Sequence, residues 1–174
     1  MRPRSLTRVA LLVAVLMVIA PVTASALQRD DSGPPVALPW LWTLGVYRET
    51  APITVGGDEL TVEIADDSSL RSRGLSYRDG LEPGTGMLFV YPDEDVRSFW
   101  MRGMRFCLDI VWINDGVVVG AAERVCPEPG VPDAKLTSYL SPEPVQYVLE
   151  VPAGWLNERG YGPGTPVDLG EIRA

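Results

Sequence analysis

Paired carboxylates are the enzymatic chemistry that this sequence could best support, because its 174 residues include no histidine. The missing histidine excludes Ser-His-Asp and Cys-His nucleophiles, a histidine general base and histidine-ligated zinc. Asp109 and Glu123 form the best acidic pair, since they fall at adjacent rungs of a predicted β-hairpin. Strand alternation, however, sends side chains at adjacent rungs to opposite faces. A hydrolase or lyase that uses Asp109 with Glu123, or with Arg73, is therefore an alternative, and the sequence leans away from an enzyme.

Asp109 also has a potential cationic partner in Arg73. The carboxylate precedes the apolar run 110–113, so we expect it to be partly buried and to need a cation or several hydrogen bonds. Arg73, next to a glycine that can end a helix, could supply a bidentate contact. Such a pair would either fix a helix against a sheet or form the polar floor of a ligand pocket.

Aromatic side chains near this position could stack against a sugar ring or an apolar ligand: Trp100, Trp112, Phe99 and Phe106. Alternation along a strand places Trp100 on the face opposite Phe99 and Met101, so these residues cannot all face one pocket. Most of them are therefore predicted to belong to the core. The candidate ligand-binding residues are Arg73, Met87, Trp100, Met101 and Asp109.

Three methionines raise a further alternative, because thioethers are soft ligands for Cu(I): Met87, Met101 and Met104. Met101 and Met104 are three residues apart, which on a strand sends them to opposite faces. Methionine is first of all a core-filling residue. The sequence thus predicts no metal site and no cofactor, and Cu(I) binding stays an alternative.

The first 26 residues are typical of a secretory signal peptide. Three arginines by position 8 precede an apolar run over 9–20, and Ala24-Ser25-Ala26 has the form of a cleavage site. An uncleaved signal segment would be the protein's only contact with a membrane. Cleavage would remove three arginines and no acid, leaving 12 basic and 23 acidic residues and a charge of -11. The predicted location is outside the cytoplasm: periplasmic, at the cell surface or secreted.

The net charge of the chain bears on which partners it can bind. A net charge of -8 for the whole chain argues against nucleic acid as a partner, since phosphate binding requires a basic surface.

Cys107 and Cys126 are predicted to form a disulfide if the chain is exported to an oxidising compartment. In a simple hairpin register they are two positions out of step, which a bulge or loosened strand ends could absorb. Two unpaired buried thiols are the other possibility.

Around these residues the sequence predicts a mostly β domain, a compact β-sandwich or barrel with two short helices. The organisation is a signal peptide (1–26), a linker and apolar N-terminal segment (27–51) and one β-rich domain (52–170). Asp-Gly and Gly-Gly turns join two predicted hairpins, and glycine is placed to end each helix. The predicted elements are strands at 52–55, 60–64, 87–91, 97–101, 110–113, 117–119, 145–151 and 167–169, with helices near 70–73 and 152–160.

Five short motifs lie between Ile53 and Leu169: 73–75 (RGL), 86–89 (GMLF), 99–101 (FWM), 108–110 (LDI) and 147–154 (YVLEVPAG). With these motifs the chain resembles the exported, signal-peptide-bearing branch of the family called domain of unknown function 192. The resemblance implies a jelly-roll-like β domain and no established activity. Residues 102–104 (RGM) differ from the Lys-Asn-Thr of many members, and Cys107 stands where proline is common, so a role that depends on that Asn or Thr does not transfer.

The leading functional hypothesis is a non-catalytic, exported module of the cell envelope that binds a glycan or a protein. It is motivated by the predicted export, the acidic charge, the absence of histidine and the cluster of aromatic and polar residues.

Overall fold

A computed structural model describes residues 49–173 of the chain. The predicted signal peptide and residues 27–48 of the predicted linker lie outside the described residues. The described part is mostly β, as predicted. It contains nine strands: β1 Thr50–Val55, β2 Asp58–Ala65, β3 Thr85–Asp95, β4 Ser98–Phe99, β5 Leu108–Asn114, β6 Val117–Val125, β7 Tyr139–Leu140, β8 Val145–Pro152 and β9 Val167–Asp168.

Three short helices connect the strands, two of them α-helical and one a 3₁₀ turn. They are α1 Ser68–Arg73, the 3₁₀ helix Asp133–Lys135 and α2 Trp155–Arg159. The side chain of Asp67 caps α1 by accepting hydrogen bonds from the N–H groups of Ser69 (2.7 Å) and Leu70 (2.8 Å). Glycine ends both α-helices, at Gly74 and Gly160. Within residues 49–173, no helix is long and apolar enough to cross a membrane.

Seven strands form one curled sheet in the order β6-β5-β8-β3-β2-β1-β9. All neighbours are antiparallel except β2 and β3, which are parallel and joined through α1. The two edges of the sheet, at β6 and β9, come together through residues 164–167. There β9 pairs with β1, the N–H of Val118 donates to the carbonyl of Thr165 (2.9 Å), and Val117 forms a bridge with Pro166. The sheet thus curls into a barrel-like shape.

The central strands are buried on both faces, which explains their nearly continuous apolar sequence. All seven strands of the sheet contribute to the cluster on the inner face, which includes Leu88, Val111 and Leu149. The opposite face, called the outer face below, carries a second cluster that includes Met87, Phe89 and Ile110. The segment 97–107, the short β4–β7 sheet and the residues that follow α1 pack over that outer face.

The β5–β6 hairpin contains two register irregularities that together align the cysteines. The turn pairs Asn114 with Val117 as predicted, and the register then shifts by one residue between Trp112 and Ile113. A second shift lies between Leu108 and Ile110 and leaves Leu108 opposite Val125. The two shifts remove the mismatch of two positions, so the next pair outward, Cys107 and Cys126, forms the predicted disulfide.

Candidate binding pocket

A polar pocket of about 270 Å³ lies on the outer face of the sheet, between the end of α1 and the segment 97–107. Aromatic and polar groups line it together with arginine side chains. The lining residues used below are Arg71, Arg73, Tyr91, Trp100, Arg102 and Glu150. The volume lies slightly below the range of about 300–1,000 Å³ that is usual for ligand sites, so the pocket suits one small ring.

Glu150 forms the buried carboxyl of this pocket. It lies on β8 between Met87 of β3 and Ile110 of β5, which are its partners across the sheet. Only 6% of the residue is exposed, and none of the hydrogen bonds within residues 49–173 reaches its buried Oε2 atom. Burial raises the pKa of Glu150 to about 8, against the opposing influence of the Arg78 charge. The carboxyl is therefore mostly protonated at neutral pH and can both donate and accept hydrogen bonds.

Arg78 is held by a different carboxylate. Its guanidinium donates two hydrogen bonds to Glu63, at 2.5 and 2.7 Å, and both side chains are roughly one quarter exposed. This bidentate geometry is the strong form of an Arg–carboxylate pair. Arg78 forms its hydrogen bonds with Glu63 and not with Glu150. Its positive charge therefore lowers the pKa of Glu150 by less than burial raises it.

Arginines and aromatic rings form the rim of the pocket. The Arg71 guanidinium donates to the backbone carbonyls of Asp66 and Val90 (2.8 Å to Val90) and lies 5.0 Å from the centre of the Tyr91 ring. Burial raises the pKa of the Tyr91 phenol. Trp100 is 49% exposed, which is high for such a large aromatic side chain.

The other rim arginines differ in their partners. Arg102 forms an ion pair with Asp133 at 2.7 Å. The side chain of Arg73, in contrast, takes part in none of the ion pairs or hydrogen bonds found among residues 49–173. The pocket therefore has at least one arginine whose charge no carboxylate of the described chain neutralises.

The structure brings two of the predicted ligand-binding residues, Arg73 and Trp100, to this pocket. It places the other candidates elsewhere. Met87 is fully buried in the core, and Met101 is 3% exposed in the same cluster. Trp100 is exposed while its neighbours Phe99 and Met101 are buried, which is the predicted alternation, although the strand predicted over 97–101 extends only over Ser98–Phe99. Met104 packs against the same cluster and lines the pocket, and the Cu(I) alternative stays a prediction.

Asp109 has a structural role that differs from both predicted ones. Its carboxylate is fully buried and accepts hydrogen bonds from the backbone N–H groups of Arg124 (2.7 Å), Gly154 (2.9 Å) and Leu156 (3.2 Å). The predicted ion pair with Arg73 is not formed, because these three donors take the place of a cation. Asp109 thereby ties the β6 bulge to the start of α2.

Glu123 does not complete a carboxylate pair with Asp109. The second register shift of the hairpin lies at this position, so Ile110 pairs with Ala122 and Leu108 with Val125. Glu123 is exposed whereas Asp109 is buried. The structure therefore does not assemble the predicted two-carboxylate arrangement.

Sequence reasoning missed Glu150 as a site residue. The available signal was a single carboxylate between Leu149 and Val151, within the strand predicted over 145–151. An ionisable residue with apolar neighbours on both sides in a central strand is a candidate for a functional site.

The fold and the pocket define a small domain with a curled β-sheet and an arginine-rimmed pocket on its outer face. The chain belongs to the family DUF192, described as "Uncharacterized ACR", whose family model matches residues 51–169. This agrees with the resemblance seen in the sequence.

Solved structures that are similar to the chain include two from bacteria. One, from Sinorhizobium meliloti 1021, is described as a candidate transcription regulator. It is 32% identical with a TM-score of 0.64, and the match covers 71% of this chain and 95% of that one. The other is a protein of unknown function from Novosphingobium aromaticivorans, 29% identical with a TM-score of 0.61, where the match covers 68% of this chain and 84% of that one. The comparison with curated proteins found no match.

Proposed function

We propose that this protein is an exported, non-catalytic binding domain of the cell envelope whose pocket holds a sugar ring of an envelope glycan. The observation that carries the proposal is the buried Glu150 carboxyl in a pocket whose rim bears the exposed Trp100. Sugar rings combine apolar faces with hydroxyl groups, so an aromatic face and a carboxyl that donates and accepts hydrogen bonds complement them.

Export is part of the proposal. The basic start, the apolar run 9–20 and the small residues at 24–26 support it, because they follow the pattern of a secretory signal. The Cys107–Cys126 disulfide is consistent with an oxidising compartment.

A catalytic role has less support from the geometry. Three backbone N–H groups hold Asp109 as a structural carboxylate, and Glu123 is exposed, so the hydrolase or lyase alternative lacks its predicted pair. A role in transcription, as in the description of the S. meliloti protein, also has little support. Direct DNA binding needs a basic surface, and this chain has a net charge of -8.

The proposal is tested by titrating the full chain with glucose, N-acetylglucosamine and glucuronate in a calorimeter. We expect at least one sugar to bind and Trp100→Ala to weaken that binding by about tenfold, because the stacking face is lost. Leu140→Ala is the matched control, since Leu140 is 58% exposed but does not line the pocket. The proposal fails if no sugar binds, or if the Trp100 and Leu140 variants bind like the wild type.

A further inference from the structure

The pocket concentrates positive charge in an acidic protein. The chain has 15 basic and 23 acidic residues, yet the pocket is lined by Arg71, Arg73 and Arg102 and by one acidic residue, Glu150. A local excess of charge opposite in sign to the whole molecule is a feature that attracts a complementary ligand.

Two of these arginines are not neutralised by an ion pair with a carboxylate. Arg102 has Asp133 as its partner, but Arg71 donates to backbone carbonyls, which carry no net charge. Arg73 is exposed at the rim and has no ion-pair partner among residues 49–173. A ligand anion at the rim would therefore meet two guanidinium charges that no carboxylate of residues 49–173 neutralises.

The carboxyl of Glu150 does not cancel this charge at neutral pH. Burial raises its pKa to about 8, so it is mostly neutral under those conditions. A neutral carboxyl can donate its O–H to a ligand oxygen, whereas an ionised one would repel an anion. The interior of the pocket is thus compatible with a negatively charged ligand.

We infer that the ligand is a single anionic sugar ring of the uronic acid class, whose carboxylate pairs with Arg73 while a ring hydroxyl reaches Glu150. The inference rests on the proposed function, because it specifies which sugar the same pocket prefers. A guanidinium and a carboxylate can form two parallel, charge-assisted hydrogen bonds, which a neutral sugar cannot offer. The volume of about 270 Å³ favours one ring over a longer chain within the pocket.

Glucuronate and glucose are the probes that test this inference, because they share a ring and differ in having a carboxylate or a hydroxymethyl group. Both are titrated into the full chain at neutral pH and low salt. We expect glucuronate to bind about tenfold more tightly than glucose, and Arg73→Gln to reduce that preference to about twofold. Added NaCl should weaken glucuronate binding and leave glucose binding unchanged, because salt screens the charge pair.

Arg105→Gln provides the matched control. Arg105 is exposed and pairs with Asp79 at 2.7 Å, and it does not line the pocket. The inference is overturned, and the proposed function survives, if both sugars bind equally well and Trp100→Ala weakens both. It is also overturned if the Arg73 and Arg105 variants lose glucuronate affinity to the same extent, since that would indicate general charge attraction. If neither sugar nor N-acetylglucosamine binds, the proposed function itself fails.

Discussion

Replacing Glu150 by glutamine should remove a pH-dependent loss of stability from the protein. In the folded chain burial raises the pKa of this carboxyl to about 8, from an ordinary value of 4.5. Between these two values the folded state keeps a proton that the unfolded state has released. This contribution to stability is fully present below the ordinary pKa and is lost as the pH rises through about 8.

The magnitude follows from the size of the shift. One pKa unit corresponds to about 1.4 kcal/mol, so the full contribution is about 5 kcal/mol. About 3 kcal/mol of it is lost between about pH 5.5 and pH 9, because part of the change lies below that interval. The charge that opposes the shift of Glu150 is that of Arg78, whose own pKa is raised by its hydrogen bonds to Glu63. The phenol of Tyr91 stays neutral for most of this pH interval, because burial raises its pKa.

Urea unfolding of the wild type and of Glu150→Gln at the two pH values measures the effect. The difference in unfolding free energy between the two proteins should change by about 3 kcal/mol between the two pH values, in favour of the variant at the higher pH. Glu123→Gln makes the same chemical change at an exposed position and should leave the pH dependence as in the wild type. If the difference in unfolding free energy between the wild type and Glu150→Gln were the same at both pH values, the assignment of Glu150 as a buried, protonated carboxyl would be refuted.

Three further changes test the framework around the pocket by urea unfolding. Asp109→Asn should lower the unfolding free energy by about 2–4 kcal/mol, because an amide cannot accept all three backbone N–H bonds. Gly86→Ala should cost about 1–3 kcal/mol, since the added Cβ would lie 2.8 Å from the carbonyl oxygen of Glu150. Replacing Cys107 and Cys126 together by serine should cost about 3 kcal/mol, because the disulfide closes a loop with a sequence separation of 19.

Gly86→Ala should be clearly less stable than a glycine-to-alanine change at an uncrowded position, and equal stability would contradict the predicted clash. Gly80→Ala is the control for Gly86, since its Cβ would have no neighbour within 4 Å. Stability equal to the wild type in Asp109→Asn would mean that the three hydrogen bonds contribute nothing. For the cysteines, the reduced wild type should match the double serine variant, and a large difference between them would point to another effect of the substitutions.

Local signals in the sequence were sufficient to predict most of the elements. The Gly-Gly and Asp-Gly turns predicted both hairpins, and the glycine after Arg73 predicted the end of α1. These features depend on a few adjacent residues, because a positive φ angle or a side-chain cap acts within one turn. The alternation that separates Trp100 from Phe99 and Met101 is equally local, and the structure reproduces it.

The partners of the buried carboxylates could not be predicted in this way, because they depend on contacts between distant segments. Asp109 binds N–H groups from residues 15, 45 and 47 positions away. A strand sequence shows that a carboxylate will be buried, but it does not show whether a cation or a set of backbone donors will satisfy it. Glu150 differs again, since its neighbours Met87 and Ile110 come from two other strands and place apolar side chains beside its carboxyl.

Asp109 and Glu150 are both buried, but their surroundings suit them to different roles. Asp109 accepts the N–H of Arg124, whose φ of +52° is unusual for a residue other than glycine, and so holds the bulge that brings Cys107 opposite Cys126. All of its described partners are backbone groups, so it has a structural task and does not line the pocket. Glu150 lacks such donors at Oε2 and lines the pocket, and an unsatisfied buried carboxyl is costly for a fold to keep. A ligand that binds Glu150 would offset that cost, which is why the proposed binding function is assigned to Glu150 and not to Asp109.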